Sequence, residues 1–167
     1  SGNTLVAALP ADQVTTQSSA SSLFMKAEDV AVNDGQISDF TFTNAATLFK
    51  FTVGAEVDHV VIHSIPDDEN GGVCVPVAGA STYASVVLPA HSEATEYFVA
   101  VNAGTFPAFR VFFGSDDDHT SWKMLQAKSG RDNLAGTVFG LGNLSASAKA
   151  QDVGNHEDLP VAVDAGA

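Results

Sequence analysis

The sequence predicts an all-β protein, a sandwich of about seven or more mostly antiparallel strands in two sheets. Three observations lead there. Short alternating runs of apolar residues recur at spacings of roughly 8–12 residues, each closed by turn chemistry. Phe dominates the aromatics, eleven copies against one Trp and two Tyr, and stands among abundant Val and Thr. These types suit a pleated, half-buried surface. Long 3.6-residue periodicity is missing, and no internal repeat of fixed period points to a propeller or a β-helix.

The runs follow in order. Thr4–Leu9 alternates and stops at Pro10. A Ser/Thr/Gln-rich loop leads to Leu23–Ala27. Asn33-Asp34-Gly35 is a strong turn signal before Ile37–Thr43. Within Phe40–Val53 the parity changes: Phe40 and Phe42 are even, while Phe49, Phe51 and Val53 are odd. Side chains alternate across a strand, so a change of parity is a change of face. The small residues Asn44-Ala45-Ala46 between the two halves predict a bulge or bend there, serving two faces. Helix over Asn44–Lys50 is the weaker alternative, opposed by the flanking aromatic and β-branched residues. Val57–Ile65 follows and ends at Pro66. Gly72–Gly79 carries Pro76, which predicts an edge strand because proline cannot donate to a ladder. Thr82–Pro89, Thr95–Asn102 and Thr105–Phe113 come in quick succession. Ser121–Leu125 reads weakly as a strand, and Trp122–Lys128 is the best helix candidate in the chain. Ala135–Leu144 closes the series. Residues 1–144 thus form the expected sandwich domain. Residues 145–167 form an acidic linker and tail, with a further strand possible at Leu159–Val163, where three apolar residues alternate.

Seven basic residues stand against twenty acidic ones, a net charge of −13, and such a field repels nucleic acid and anionic membrane surfaces. No stretch of about eighteen apolar residues occurs, so no membrane span is expected. The opening SGNTLVAAL lacks the basic start and long apolar run of a signal peptide. Cys74 has no cysteine to pair with and reads as a small core residue.

Catalytic motifs are scarce. The Gly-x-Ser-x-Gly elbow and the phosphate-binding Gly-Lys-Ser/Thr loop are absent. His156-Glu157 opens a zincin-like pattern, but Pro160 stands where the second histidine belongs. His59 and His63 share a face of one strand, yet four residues of strand span roughly 13 Å. Two zinc ligands must each come within about 2.1 Å of one ion, so both read as partly exposed strand residues. Asp116-Asp117-Asp118-His119 and Asp67-Asp68-Glu69-Asn70-Gly71 read as solvated loops, since neighbouring carboxylates diverge along a backbone. Asn143-Leu144-Ser145 matches the common glycosylation triplet, and His91 and His119 have no evident nucleophile beside them. No catalytic, cofactor-binding or metal-binding residue is assigned, no cofactor is expected, and the chain reads as a non-enzyme.

Five phrases, in order, carry a resemblance. Ala8-Leu9-Pro10 is followed by Leu23–Ala27; Phe42–Asn44 runs into Leu48–Val53; Leu88-Pro89 precedes a strand; Gly136–Leu144 closes the series. In this the chain resembles the fimbrillin-like surface proteins of Bacteroidales. The resemblance implies a transthyretin-like sandwich exported as a lipoprotein precursor to the outer membrane and cell surface. It implies a structural or adhesive fimbrial (pilus) subunit, joined to other subunits by strand exchange, with host or bacterial surface ligands as further partners. Open sheet edges supply the physics for such joining. The expected insertion elements are the terminal segments Thr4–Leu9 and Leu159–Val163. The alternative expectation is a cell-surface carbohydrate- or protein-binding module, using Trp122 and Tyr83 if they are exposed.

Overall fold

The computed structural model describes residues 8–14, 25–26, 32–33, 35–37, 43–65, 74–115, 118–133 and 135–153. Among the described residues the regular elements are thirteen strands. In chain order these are β1 (Asp12–Val14), β2 (Met25–Lys26), β3 (Val32–Asn33), β4 (Gln36–Ile37), β5 (Thr43–Asn44), β6 (Ala46–Val53) and β7 (His59–Ser64). There follow β8 (Tyr83–Val87), β9 (Thr95–Asn102), β10 (Gly104–Ser115), β11 (Asp118–Asn133), β12 (Val138–Asn143) and β13 (Gln151–Asp152). The described residues contain no helix, so none crosses a membrane as one.

Two sheets make the sandwich. The larger has the order β1-β8-β7-β10-β11-β13, the smaller β12-β6-β9. Most pairs are antiparallel; β1 with β8 and β12 with β6 are parallel. Alternation sets the inner faces. Phe49, Phe51 and Val53 of β6 and Tyr97, Val99 and Val101 of β9 meet Val60, Ile62, Phe109, Val111 and Phe113 of the larger sheet in one core. Phe49 is the aromatic hub: its ring centroid lies 5.3 Å from that of Phe109 in the opposite sheet and 5.4 Å from that of Phe139. Full burial of each such ring stabilises the fold by roughly 1.5–3 kcal/mol.

The outer face of the larger sheet is apolar too. Val61, Phe112 and Trp122 are buried there, with Tyr83, Met124 and Val153 packed against them. Trp122 is fully buried, and its indole N–H donates to the carbonyl oxygen of Ser115 at 2.9 Å. Gly114 makes room for it: a Cβ there would lie 2.7 Å from Trp122 Cγ.

Phe40 and Phe42, the even half of the parity change, lie outside the described residues, but the chain does change sheets at the small residues Asn44-Ala45-Ala46. β5 pairs with β2 in a separate two-stranded sheet, and the chain enters the smaller sheet at Ala46, one residue later. The Asn33-Asp34-Gly35 signal falls between β3 and β4, whose ends pair as Asn33↔Gln36; Asp34 lies outside the described residues, and Gly35 takes φ 76°. Side chains seldom tolerate that value, so a glycine belongs there.

Two expectations are corrected. Trp122–Lys128, the best helix candidate, lies inside the sixteen-residue strand β11. Its apolar residues fit either period over so short a run, and the antiparallel pairing with β10 decides between them. Of the run with Pro76, Gly72 and Val73 lie outside the described residues, and residues 74–80 join no ladder, their one bridge being Ala78↔Ser81. A proline does sit within β10, at Pro107, and the register slips there between Phe106 and Ala108. A residue without an N–H belongs at such an irregularity. The chain from 145 to 153 keeps to the sandwich and pairs Gln151 and Asp152 with Met124 and Lys123. Thr4–Ala7 and Leu159–Val163 lie outside the described residues, as do Asp67–Gly71, Asp116, Asp117 and the His156-Glu157 pair.

Candidate strand-docking site

The two lateral sides of the sandwich differ. On one side the edge strands β1 and β9 are stitched together by a side chain. Gln13, 5% exposed, donates its amide Nε2–H to the carbonyl oxygen of Ala100 at 2.7 Å, and its Oε1 accepts from Ala100 N–H at 2.9 Å. A primary amide thereby takes the place of a neighbouring strand. Two residues on, Asn102 N–H donates to the carbonyl oxygen of Val77 at 2.7 Å, while the Asn102 side chain holds Pro76 and both the N–H and C=O of Gly79. Leu9 is buried in the core at this side. The edge is therefore closed.

Among the described residues, the opposite side is open. β12 is the outermost strand of the smaller sheet, and Val138 on it is 56% exposed. Beyond β10, the described partner of the long strand β11 is β13, which covers only Lys123 and Met124. Between these edges runs a groove of about 420 Å³. Phe109 and Val111 form its floor, Leu125 and Leu141 its walls, and Leu144 and the strap Ser147–Lys149 one end. The strap is held by turn bonds, Ser147 N–H to Leu144 O at 3.2 Å and Ala150 N–H to Ser147 O at 3.1 Å. Ser145 Oγ accepts from Gly54 N–H at 2.9 Å and anchors the strap to the end of β6.

Such a groove has two uses for an extended chain. Unpaired backbone groups along an edge offer hydrogen bonds, and an apolar floor takes every second side chain. β12 carries no charged residue and no proline, the usual devices that blunt an exposed edge.

The other residues singled out in the sequence are dispersed. His59 and His63 do share the outer face of β7, but His59 is buried, not partly exposed. Its Nε2 lies 2.5 Å from Ser85 Oγ, with the rings of His59 and Trp122 edge to face at 5.5 Å. This serine–histidine contact had no sequence signal, since β7 and β8 bring the residues together across a 26-residue separation. Ser85 is 3% exposed and His59 5%, so a substrate carbonyl has no approach to the hydroxyl. His63 sits half-buried between Tyr83 and Arg110 in neighbouring strands. Burial pushes its pKa below the ordinary value and the Arg110 charge adds to that, while a backbone hydrogen bond at Ser64 opposes both. His91 bridges the Pro89 and Gly54 carbonyl oxygens at 3.0 and 2.9 Å. Beside it a shallow polar bowl of about 470 Å³ spans Ala90 to Thr95. Cys74 is half-buried, its Sγ 3.7 Å from the Ser64 carbonyl oxygen. Asn143 is exposed at the end of β12, and its Oδ1 accepts from Ala146 N–H. Among the described residues no three His, Cys, Asp or Glu side chains converge as metal ligands.

Trp122, one of the two aromatics expected to serve a binding module if exposed, belongs to the core, and Tyr83 is half-buried against the same cluster. No family model, curated protein or solved structure matches the chain.

Proposed function

We propose that this chain is a non-enzymatic structural or adhesive subunit of a bacterial cell-surface fimbria, and that subunits join by strand addition. The observation that carries the reading is the groove between β11 and β12: two strand edges, an apolar floor of Phe109 and Val111, and no charge on β12 to deter pairing. The ordered phrases shared with fimbrillin-like proteins support the same reading, as does the contrast with the closed β1/β9 side. Main-chain hydrogen bonds give an incoming strand its affinity, and alternate side chains in the groove give it register.

The binding-module alternative is not favoured, since burial removes Trp122 as a contact surface.

The test is self-association of purified protein, followed by light scattering and negative-stain microscopy. Leu141→Glu places a charge on the half-buried wall of the groove and is expected to abolish oligomers while leaving the circular dichroism of the monomer unchanged. Oligomers that survive this substitution in a folded protein refute the reading. Deletion of Leu159–Ala167 tests the C-terminal segment separately: association as strong as in the full chain rules it out as the inserted strand.

A further inference from the structure

The outer face of the larger sheet carries a polar row beside its apolar cluster. Tyr83 of β8 pairs with His63 of β7, His63 with Arg110 of β10, and Arg110 with Gln126 of β11. Neighbouring strands lie about 4.8 Å apart, so the four residues line up across roughly 14 Å. Alternation places them on the face of Val61, Phe112 and Met124. Arg110 and Gln126 are exposed, while Tyr83 and His63 are half-buried. Twenty acidic residues stand in this chain against seven basic ones, yet Arg110 has no ion pair with a described residue. What faces it is another basic side chain: burial, and then the Arg110 charge, hold the His63 pKa down. From β8 the group facing His63 is the Tyr83 phenol. On its own strand the next titratable group is the buried His59, and Asp12 of β1 pairs with Ser85, one register step away and two strands off. The row thus offers polar side chains and one uncompensated charge, beside a buried apolar surface that strengthens electrostatic contacts.

We propose that the row Tyr83–His63–Arg110–Gln126 is a binding strip for a carboxylated sugar of a surface glycan. The Arg110 guanidinium meets the carboxylate, whose two oxygens match its planar fork. The Gln126 amide and the His63 ring meet hydroxyls, which donate and accept as those groups do, and the Tyr83 phenol serves the far end. An acidic peptide fits less well. The row runs across the ladders of β8, β7, β10 and β11 rather than along an edge, and strand addition needs an edge. The strip is also separate from the groove, since Phe109, Val111 and Leu125 point the other way from the same strands. The sugar strip therefore goes beyond strand addition and does not rest on it.

The experiment titrates isotope-labelled full-length protein with trigalacturonate, its methyl ester, triglutamate and inorganic phosphate, followed by nuclear magnetic resonance. Trigalacturonate is expected to move the signals of His63, Arg110 and Gln126. It should bind roughly tenfold more tightly than its methyl ester, which lacks the charge-assisted pair. Arg110→Gln, a change at an exposed side chain, is expected to erase that difference. A carboxylate beside Arg110 also favours the imidazolium of His63. Affinity should therefore rise as pH falls, while the sugar carboxylate stays ionised, and His63→Gln should remove that slope. Binding unchanged by Arg110→Gln in a protein of wild-type circular dichroism overturns the strip, and so does failure of trigalacturonate to bind. Equal binding of triglutamate makes the ligand an acidic peptide and overturns the sugar. Phosphate binding as tight as trigalacturonate leaves an anion site without sugar recognition and overturns it too. None of these outcomes depends on self-association, so strand addition stands or falls by its own test.

Discussion

The side-chain stitch at Gln13 yields the sharpest prediction. Gln13→Ala removes both partners of Ala100 at once, leaving a buried N–H and a buried C=O on the edge of β9. An unsatisfied buried backbone group costs about 1–3 kcal/mol. Two of them, relieved in part by water at a sheet edge, give an expected loss of about 2–4 kcal/mol. For a chain of this size each kcal/mol shifts the melting temperature by roughly 2–4 °C, so the midpoint falls by roughly 4–16 °C. Gln13→Glu separates hydrogen bonding from packing. The carboxylate still accepts from Ala100 N–H but has no proton for the Ala100 carbonyl oxygen, which it then faces oxygen to oxygen. Protonation restores the donor, so the deficit of this variant relative to wild type narrows as pH falls toward the carboxylate range. Urea unfolding at several pH values measures both effects, and hydrogen exchange at the Ala100 amide reports the local one. A Gln13→Ala protein within about 0.5 kcal/mol of wild type, with Ala100 equally protected, refutes the stitch, because a surface substitution is worth no more than that.

Three further outcomes are expected. Gly114→Ala drives a methyl group to 2.7 Å from Trp122 Cγ, and overpacking of this kind costs about 1–3 kcal/mol; chemical unfolding should show the loss, and near-ultraviolet circular dichroism a displaced Trp122. Trp122→Ala empties the outer-face cluster and leaves the Ser115 carbonyl oxygen without the indole donor, for a loss of about 3–5 kcal/mol; a thermal midpoint within a degree of wild type would contradict burial of the ring. The pKa of His63 is lowered by burial and by Arg110, so the folded state favours the neutral ring. Its contribution is present above the ordinary value of 6.5 and is lost as pH falls through the lower folded value. Tyr97 has the opposite sign: burial raises its pKa, so its contribution is present below 10 and is lost as pH rises through the raised folded value. His63→Gln should flatten the acid limb of a stability–pH curve and leave the alkaline limb in place.

Strand faces were legible in the sequence because alternation is local. The odd parity of Phe49, Phe51 and Val53 states that the three point the same way, and the core confirms where. Gly35 announced its own turn, since backbone conformation at a glycine is a property of two or three residues. The small residues around Ala45 marked the place where the chain passes from one sheet to another. What alternation leaves open is which strand lies beside which. Only pairing with β10 decides that residues 118–133 form one long strand, because SWKML satisfies helix and strand alike. Only closure of the chain over 87 residues brings Gln13 to Ala100, and over 26 brings His59 to Ser85. The groove is likewise a tertiary product. Its floor, walls and end come from four separate stretches, and among the described residues it is left uncovered because β13 stops after two residues and β12 lies outermost in its sheet. A side chain's direction is set by its own backbone; its neighbours, and the edges left without any, are set by how the whole chain closes.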